Sequence, residues 1–152
     1  MAVTTERGVI VKVREGTSTT ALTRIQQGCE VNCMPIEFTQ SAAAGDATST
    51  QAITMMPAGK HKVLGITLDV SAFGSSRTLD VGYEAYTKSD GTTAVAASGT
   101  FFKSALDVSG AAITHIPCNK DMDSLSGYVI STTVAGGTIP AGATIKGYVT
   151  FI

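Results

Sequence analysis

The side chains best suited to chemistry in this 152-residue chain are two histidines and three cysteines. His115 and Cys118 stand three residues apart in the segment HIPC, whereas Cys29, Cys33 and His61 are scattered. Zinc sites use paired ligands at short, regular spacings, and this set does not match such a pattern. Cys29 and Cys33 are four residues apart, which is too far along a strand for an easy disulfide. The pattern therefore predicts reduced, buried cysteines and no bound metal.

The arrangements expected of an enzyme or a calcium site are also missing. The chain contains no G-x-S-x-G nucleophile motif, and His115 stands in a strand-like segment between Thr114 and Ile116, which is typical of a structural role. Asp121 and Asp123 belong to the polar segment NKDMDS, a predicted turn without the EF-hand pattern. We therefore predict solvated acids, no catalytic residues and no cofactor.

The four tyrosines allow two interpretations. If they are clustered and exposed, the tyrosines form a sugar-stacking platform; otherwise they pack in the core or in an interface. The four residues are Tyr83, Tyr86, Tyr128 and Tyr148. The absence of tryptophan and the placement of all four tyrosines in predicted strands favour packing. We name Tyr86 and Tyr148 as interface candidates.

The elements that must position these residues are mostly strands, because apolar residues recur at every second position. Segment 60–73 alternates clearly, segment 77–87 repeats the pattern, and the turn GSSR between them predicts a hairpin. Pro35 predicts an edge strand or a bulge in segment 29–40. Three glycines inside predicted strands indicate bulges or close packing: Gly82, Gly127 and Gly147.

One segment departs from this period. In TFFKSALDVS, Phe101, Phe102, Ala105 and Leu106 are spaced as on a helix, which predicts a short helix near 100–107. Further strands are predicted at 111–118, 125–134 and 144–152. The fold class predicted is all-β: an antiparallel, jelly-roll-like β-sandwich of seven to eight strands with one short helix and an extended N-terminal arm.

The predicted organisation is an N-terminal strand and polar arm over 1–28, followed by a β-sandwich domain over 29–152. The stretch GTSTTALTRIQQG has few large apolar residues, so we expect it to extend over a neighbouring molecule rather than to join the core. Its candidate contact residues are Thr17, Thr19, Leu22 and Ile25.

Composition narrows the function classes. Charged residues are 15% of the chain, hydrophobic residues 43%, and the net charge is −1, whereas about 25% charged residues is usual. Nucleic-acid binding needs a concentrated basic face, and a membrane span needs about 18 consecutive apolar residues; neither is present, and no signal peptide is recognisable. Low charge predicts that much of the surface is covered by neighbours.

Three segments carry a resemblance to a known class of proteins: LGITLDVSAFGSSRTLDVGYEAYTKSDGT, ASGTFFKSALDVSGA and STTVAGGTIPAGATIKGYVTFI. Over residues 60–152 the chain resembles short virion structural proteins of tailed bacteriophages, and is most similar to capsid decoration (cement) proteins. The resemblance implies a β-sandwich that binds the outer shell as a homotrimer or homodimer, with the major capsid protein as partner. It also implies synthesis in the host cytoplasm and a place on the capsid exterior.

Two other virion roles stay open at this stage. One is a head–tail connector or tail subunit, for which residues 87–99 would supply a long insertion loop. The other is a carbohydrate-binding or receptor-binding module, which predicts exposed, clustered tyrosines.

Overall fold

The computed structural model describes residues 31–41, 44–45 and 50–152, and every regular element in these ranges is a β-strand. In chain order the strands are β1 (Asn32–Thr39), β2 (Thr50–Met56), β3 (Gly59–Val70), β4 (Thr78–Tyr83), β5 (Tyr86–Thr87), β6 (Ala94–Val95), β7 (Ser98–Asp107), β8 (Ala112–Ser124), β9 (Tyr128–Ala135) and β10 (Thr144–Phe151). Within the described ranges, no helix is long and apolar enough to cross a membrane.

Eight strands form two four-stranded antiparallel sheets. The first sheet has the order β1-β10-β3-β8 and the second the order β2-β9-β4-β7, while β5 and β6 form a small separate ribbon. Among these eight strands, every connection along the chain passes from one sheet to the other except that from β4 to β7. This two-sheet order is that of a jelly roll, which confirms the predicted all-β fold class.

The core lies between the inward faces of the two sheets, as the two-residue alternation requires. In β3, Ile66, Leu68 and Val70 are buried, whereas Asp69 between them is exposed. Burying a side chain of this size contributes about 1.5–3 kcal/mol. The second sheet supplies matching side chains from its central strands: Leu79, Val81, Ile130 and Val134.

The predicted helix near 100–107 is wrong, because this segment is strand β7. Its helical spacing arises at an irregularity in the pairing with β4, where the register shifts between Leu79 and Val81. Ala105 has a positive φ of 50°, and its N–H donates to Oδ1 of Asp80 at 2.7 Å. An extra residue at such a bulge interrupts the simple alternation of side chains.

Two predicted connections are also wrong. Segments 60–73 and 77–87 do not form a hairpin, because β3 and β4 belong to different sheets. The segment NKDMDS is not a turn: β8 runs through it to Ser124, with Met122 and Ser124 buried. Alternation shows which face of a strand is buried, but it does not show which strand is the hydrogen-bonded neighbour.

Several local predictions are confirmed. Among the described strands, β1, which contains Pro35, is at the edge of the first sheet. A Cβ on Gly82 would collide with the backbone of Ser98, and one on Gly147 would collide with the carbonyl of Thr67. Gly127 also lies close to backbone, at the carbonyl of Met56, but it precedes β9 rather than lying inside a strand.

The remaining predictions concern the loop at 87–99 and the N-terminal arm. Residues 86–95 form the short β5–β6 hairpin, whose turn is held by Asp90 Oδ1 accepting the backbone N–H groups of Thr92 and Thr93 at 2.8 Å each. The predicted arm over 1–28, with Thr17, Thr19, Leu22 and Ile25, lies outside the described residues.

Candidate interaction face

One side chain from each strand of the first sheet forms a row on its outer face. The register pairs Pro35 with Tyr148, Tyr148 with Thr67, and Thr67 with His115. The sequence neighbours of these residues point inward and include the buried Ile36, Ile66 and Ile116. Because adjacent side chains of a strand lie on opposite faces, the four residues share the outer face; we call them the outer row.

His115 is held in place at one end of the outer row. Its Nδ1 lies 3.1 Å from the hydroxyl of Thr67, within hydrogen-bond distance. Its ring also lies over Gly65, where an added Cβ would stand only 2.6 Å from the imidazole Cε1. The glycine therefore leaves room for the imidazole to lie against the sheet.

Apolar and aromatic surface is exposed around this row. Tyr148 is 45% exposed and Ile113, two residues before His115 on β8, is 74% exposed. Aromatic residues are enriched at protein interfaces, so the exposed Tyr148 is a candidate contact residue. No charged residue belongs to the outer row itself.

Charged residues form the next row along the same face. Glu37 pairs with Lys146 across the sheet, and Lys146 pairs with Asp69. Opposite charges on neighbouring strands stabilise the local pairing modestly. The face thus combines an uncharged stripe with a border of alternating charge, an arrangement suited to a specific protein contact.

The other tyrosines lie in an aromatic cluster rather than on a platform. Tyr83 and Tyr128 are buried, and the half-buried Tyr86 packs against both, with ring centroids 5.4 Å and 5.3 Å away. Tyr83 also makes an edge contact with Phe101 at 4.9 Å. The structure does not bring Tyr86 and Tyr148 together, so the exposed tyrosine cluster expected of a sugar-stacking module is not formed.

The cysteine and aspartate residues that the sequence offers as candidate ligands lie apart from one another in the structure. Cys118 is half-buried, and burial raises the pKa of its thiol. Cys33 is exposed, so the prediction of buried cysteines is wrong for this residue, while Cys29 lies outside the described residues. Asp121 is ion-paired with Lys62 at 3.5 Å. No group of three or more His, Cys, Asp or Glu in the described part of the chain could hold a metal ion.

Tyr148 was predicted from the sequence as an interface residue, whereas its neighbours in the outer row were not. The alternation in AAITHIPC places Ile113 and His115 on one face of β8, which was the available signal. The order of the strands was not predictable from that pattern, so the proximity of Tyr148, Thr67 and His115 became visible only in the structure.

No protein-family model matches the sequence, and no curated protein matches it either. Among solved structures, the chain is similar to one in "Cyanophage Pam1 capsid asymmetric unit", with a TM-score of 0.61, 16% identity, and coverage of 90% of this chain and 94% of that chain. A chain of the acidic stable capsid structure of Helicobacter pylori bacteriophage KHP30 has a TM-score of 0.48 and 18% identity, over 80% of this chain and 87% of that one. At 16% identity, the likeness to the Pam1 chain shows a shared fold.

Proposed function

We propose that this chain is a capsid decoration (cement) protein of a bacteriophage, which binds the outer shell and clamps adjacent major capsid protein subunits without catalysing a reaction. The observation that supports this most is the jelly-roll fold shared with a phage capsid chain over nearly the whole length of both chains. Because the match covers 94% of that chain, it extends well beyond a small shared motif.

The outer face of the first sheet is the proposed shell-binding surface. Four strands about 4.8 Å apart, with about ten residues each rising about 3.3 Å per residue, cover roughly 630 Å². A standard interface buries about 800 Å² on each partner. One sheet face is therefore too small for a stable contact, and we propose that the arm over residues 1–28 supplies the rest.

Strand β8 offers the arm a place to bind on a neighbouring copy. In the described part of the chain it pairs with β3 alone, and it is 13 residues long. An extended segment can add to such an edge through main-chain hydrogen bonds. Exchange of arms would link copies as a homotrimer or homodimer, and linked copies would bind the shell far more tightly than single ones.

The low charge of the chain agrees with this role, because surfaces covered by neighbours do not need charge to keep them soluble. The proposed location is the capsid exterior, after synthesis in the host cytoplasm. The proposed partners are the major capsid protein and further copies of this chain, with no nucleic acid or membrane.

The proposal is tested by sedimenting purified protein with expanded capsids that lack it. We expect saturable binding by the full chain and weaker binding by a variant that lacks residues 1–28 and still unfolds cooperatively. Unexpanded capsids are the control for nonspecific pelleting. Ring assembly in solution without capsid binding would favour the connector or tail alternative and would contradict the proposal.

A further inference from the structure

A cleft of about 550 Å³ opens on another part of the molecule, beside the first residues of β3, the last residues of β8 and the short strand β5. The polar side chains that line it are Lys60, His61, Lys62, Lys88, Tyr86, Asp121 and Asp123, and the almost fully buried Met122 lies behind them. Small-molecule sites typically have volumes of about 300–1,000 Å³ with a few convergent polar groups. The cleft does not include any residue of the outer row.

The charges of the cleft are unevenly matched. Lys62 is paired with Asp121 at 3.5 Å. Lys60 lies opposite Asp123 in the register of β3 and β8, but neither Lys60 nor Lys88 forms an ion pair within the described residues. Three lysines against two aspartates leave one excess positive charge. The cleft is therefore suited to a ligand that carries an anionic group.

Asp123 indicates a second property of the ligand, which is a hydrogen-bond donor. Its Oδ1 atom is buried and has no hydrogen-bond partner within the described residues, which is uncommon for a buried polar atom. Asp123 lines the cleft, and the soft χ2 torsion of aspartate allows its carboxylate to reorient when a ligand binds. A ligand that donates a hydroxyl hydrogen would satisfy this oxygen.

Tyr86 supplies both an aromatic surface and a hydroxyl. Burial, Tyr83 and Asp123 all raise the pKa of its phenol, so it stays protonated at neutral pH and can donate a hydrogen bond. Its ring is half-buried against Tyr128, which holds it at the edge of the cleft. The site thus combines cationic donors, a carboxylate acceptor and an aromatic wall.

We propose that this cleft binds an acidic saccharide, a sugar that bears a carboxylate. Lys60 and Lys88 bind the sugar carboxylate, Asp123 accepts a hydrogen bond from a sugar hydroxyl, and the ring of Tyr86 contacts the apolar face of the sugar. A neutral sugar provides no negative charge to pair with Lys60 and Lys88. An acidic peptide brings carboxylates toward Asp123, and its donors are N–H groups of the backbone and the N-terminus rather than ring hydroxyls. This inference does not depend on the proposed shell binding.

The test is calorimetric titration of the full chain with trigalacturonate, maltotriose and a triglutamate peptide at equal ionic strength. We expect binding of trigalacturonate at least tenfold tighter than that of either control ligand. The double variant Lys60→Gln/Lys88→Gln should lose at least tenfold in affinity, while Lys103→Gln, a matched substitution away from the cleft, should keep it.

Asp123→Ala separates a ligand contact from a structural role. We expect it to weaken trigalacturonate binding and to strengthen triglutamate binding, because the repelling carboxylate is gone. No binding of trigalacturonate, equal affinity for all three ligands, or loss of affinity in Lys103→Gln would overturn the proposal.

Discussion

His61 of the first sheet and Tyr128 of the second form a direct bridge across the sandwich. Their rings are stacked, with centroids 5.5 Å apart and planes 6° from parallel, and the imidazole Nε2 lies 3.0 Å from the phenol oxygen. Phe151 meets the His61 ring edge-on at 5.4 Å. These contacts tie the start of β3 to the start of β9 and support the wall of the cleft.

The hydrogen bond in this bridge should contribute measurably to stability. Tyr128 is only 2% exposed, so Tyr128→Phe removes a buried hydroxyl and leaves His61 without that partner. We expect a loss of about 0.5–1.5 kcal/mol in the free energy of unfolding, measured by urea denaturation. Tyr148→Phe is the control, because its hydroxyl belongs to an exposed side chain. Equal effects of the two substitutions would contradict the role of the bridge.

The same bridge predicts a pH dependence. Burial lowers the pKa of His61 below its ordinary value of 6.5, so the unfolded chain takes up a proton on this residue at a higher pH than the folded chain does. The free energy of unfolding must then decrease as pH falls below about 6.5, toward the lowered pKa of the folded state. Urea unfolding at pH 7.5 and 5.5 measures the change.

The contributions of His61 and His115 to this pH dependence can be measured separately by substitution. His61→Gln should reduce the difference in stability between pH 7.5 and 5.5, whereas His115→Gln should keep it, because His61 is still present. The interpretation fails if His61→Gln leaves the pH dependence unchanged.

An alternating pattern specifies which face of a strand is buried, but it does not specify where a strand is interrupted by a bulge. The burial of Ile66, Leu68 and Val70 was predictable, because the two-residue period fixes the inward face of β3. The bulge at Ala105 was not, because it depends on a positive φ and on a carboxylate from another strand, Asp80. The apolar spacing of that segment consequently resembled a helix.

The candidate interaction face was likewise predictable only in part. The outward position of Tyr148 was predictable from the alternation in β10. Its position beside Thr67 was not, because β10 inserts between β1 and β3. These neighbours are separated by most of the described chain, and a local pattern does not specify such pairings. The cleft was missed for the same reason, since β3, β5 and β8 come together only in three dimensions.

The close approach at Gly147 gives a stability prediction with a matched control. Its φ is +144°, and an added Cβ would collide with the carbonyl of Thr67 on β3. We expect Gly147→Ala to cost at least about 2 kcal/mol, since both steric overlap and backbone strain oppose it. Gly110→Ala, where nothing lies within 4 Å of the added atom, should change stability by less than about 0.5 kcal/mol. Thermal unfolding of both variants distinguishes the outcomes.

The outer row gives a prediction about shell binding. Tyr148→Ala removes the largest exposed side chain of that row and should weaken binding to expanded capsids by about 10- to 30-fold, as truncation of a central interface tyrosine typically does. Tyr148→Phe should keep most of the affinity. Unchanged binding by Tyr148→Ala would place the contact on another face of the molecule.

The central claim, that this jelly roll is a decoration protein of a phage shell, is tested most directly by cryo-electron microscopy of expanded capsids saturated with the purified chain. We predict density for the two four-stranded sheets on the outer surface of the shell, at junctions between adjacent capsid subunits, with the face that carries Tyr148 against the shell. Density inside the shell, density only at the portal vertex, or a bare outer surface at saturating protein would contradict the account.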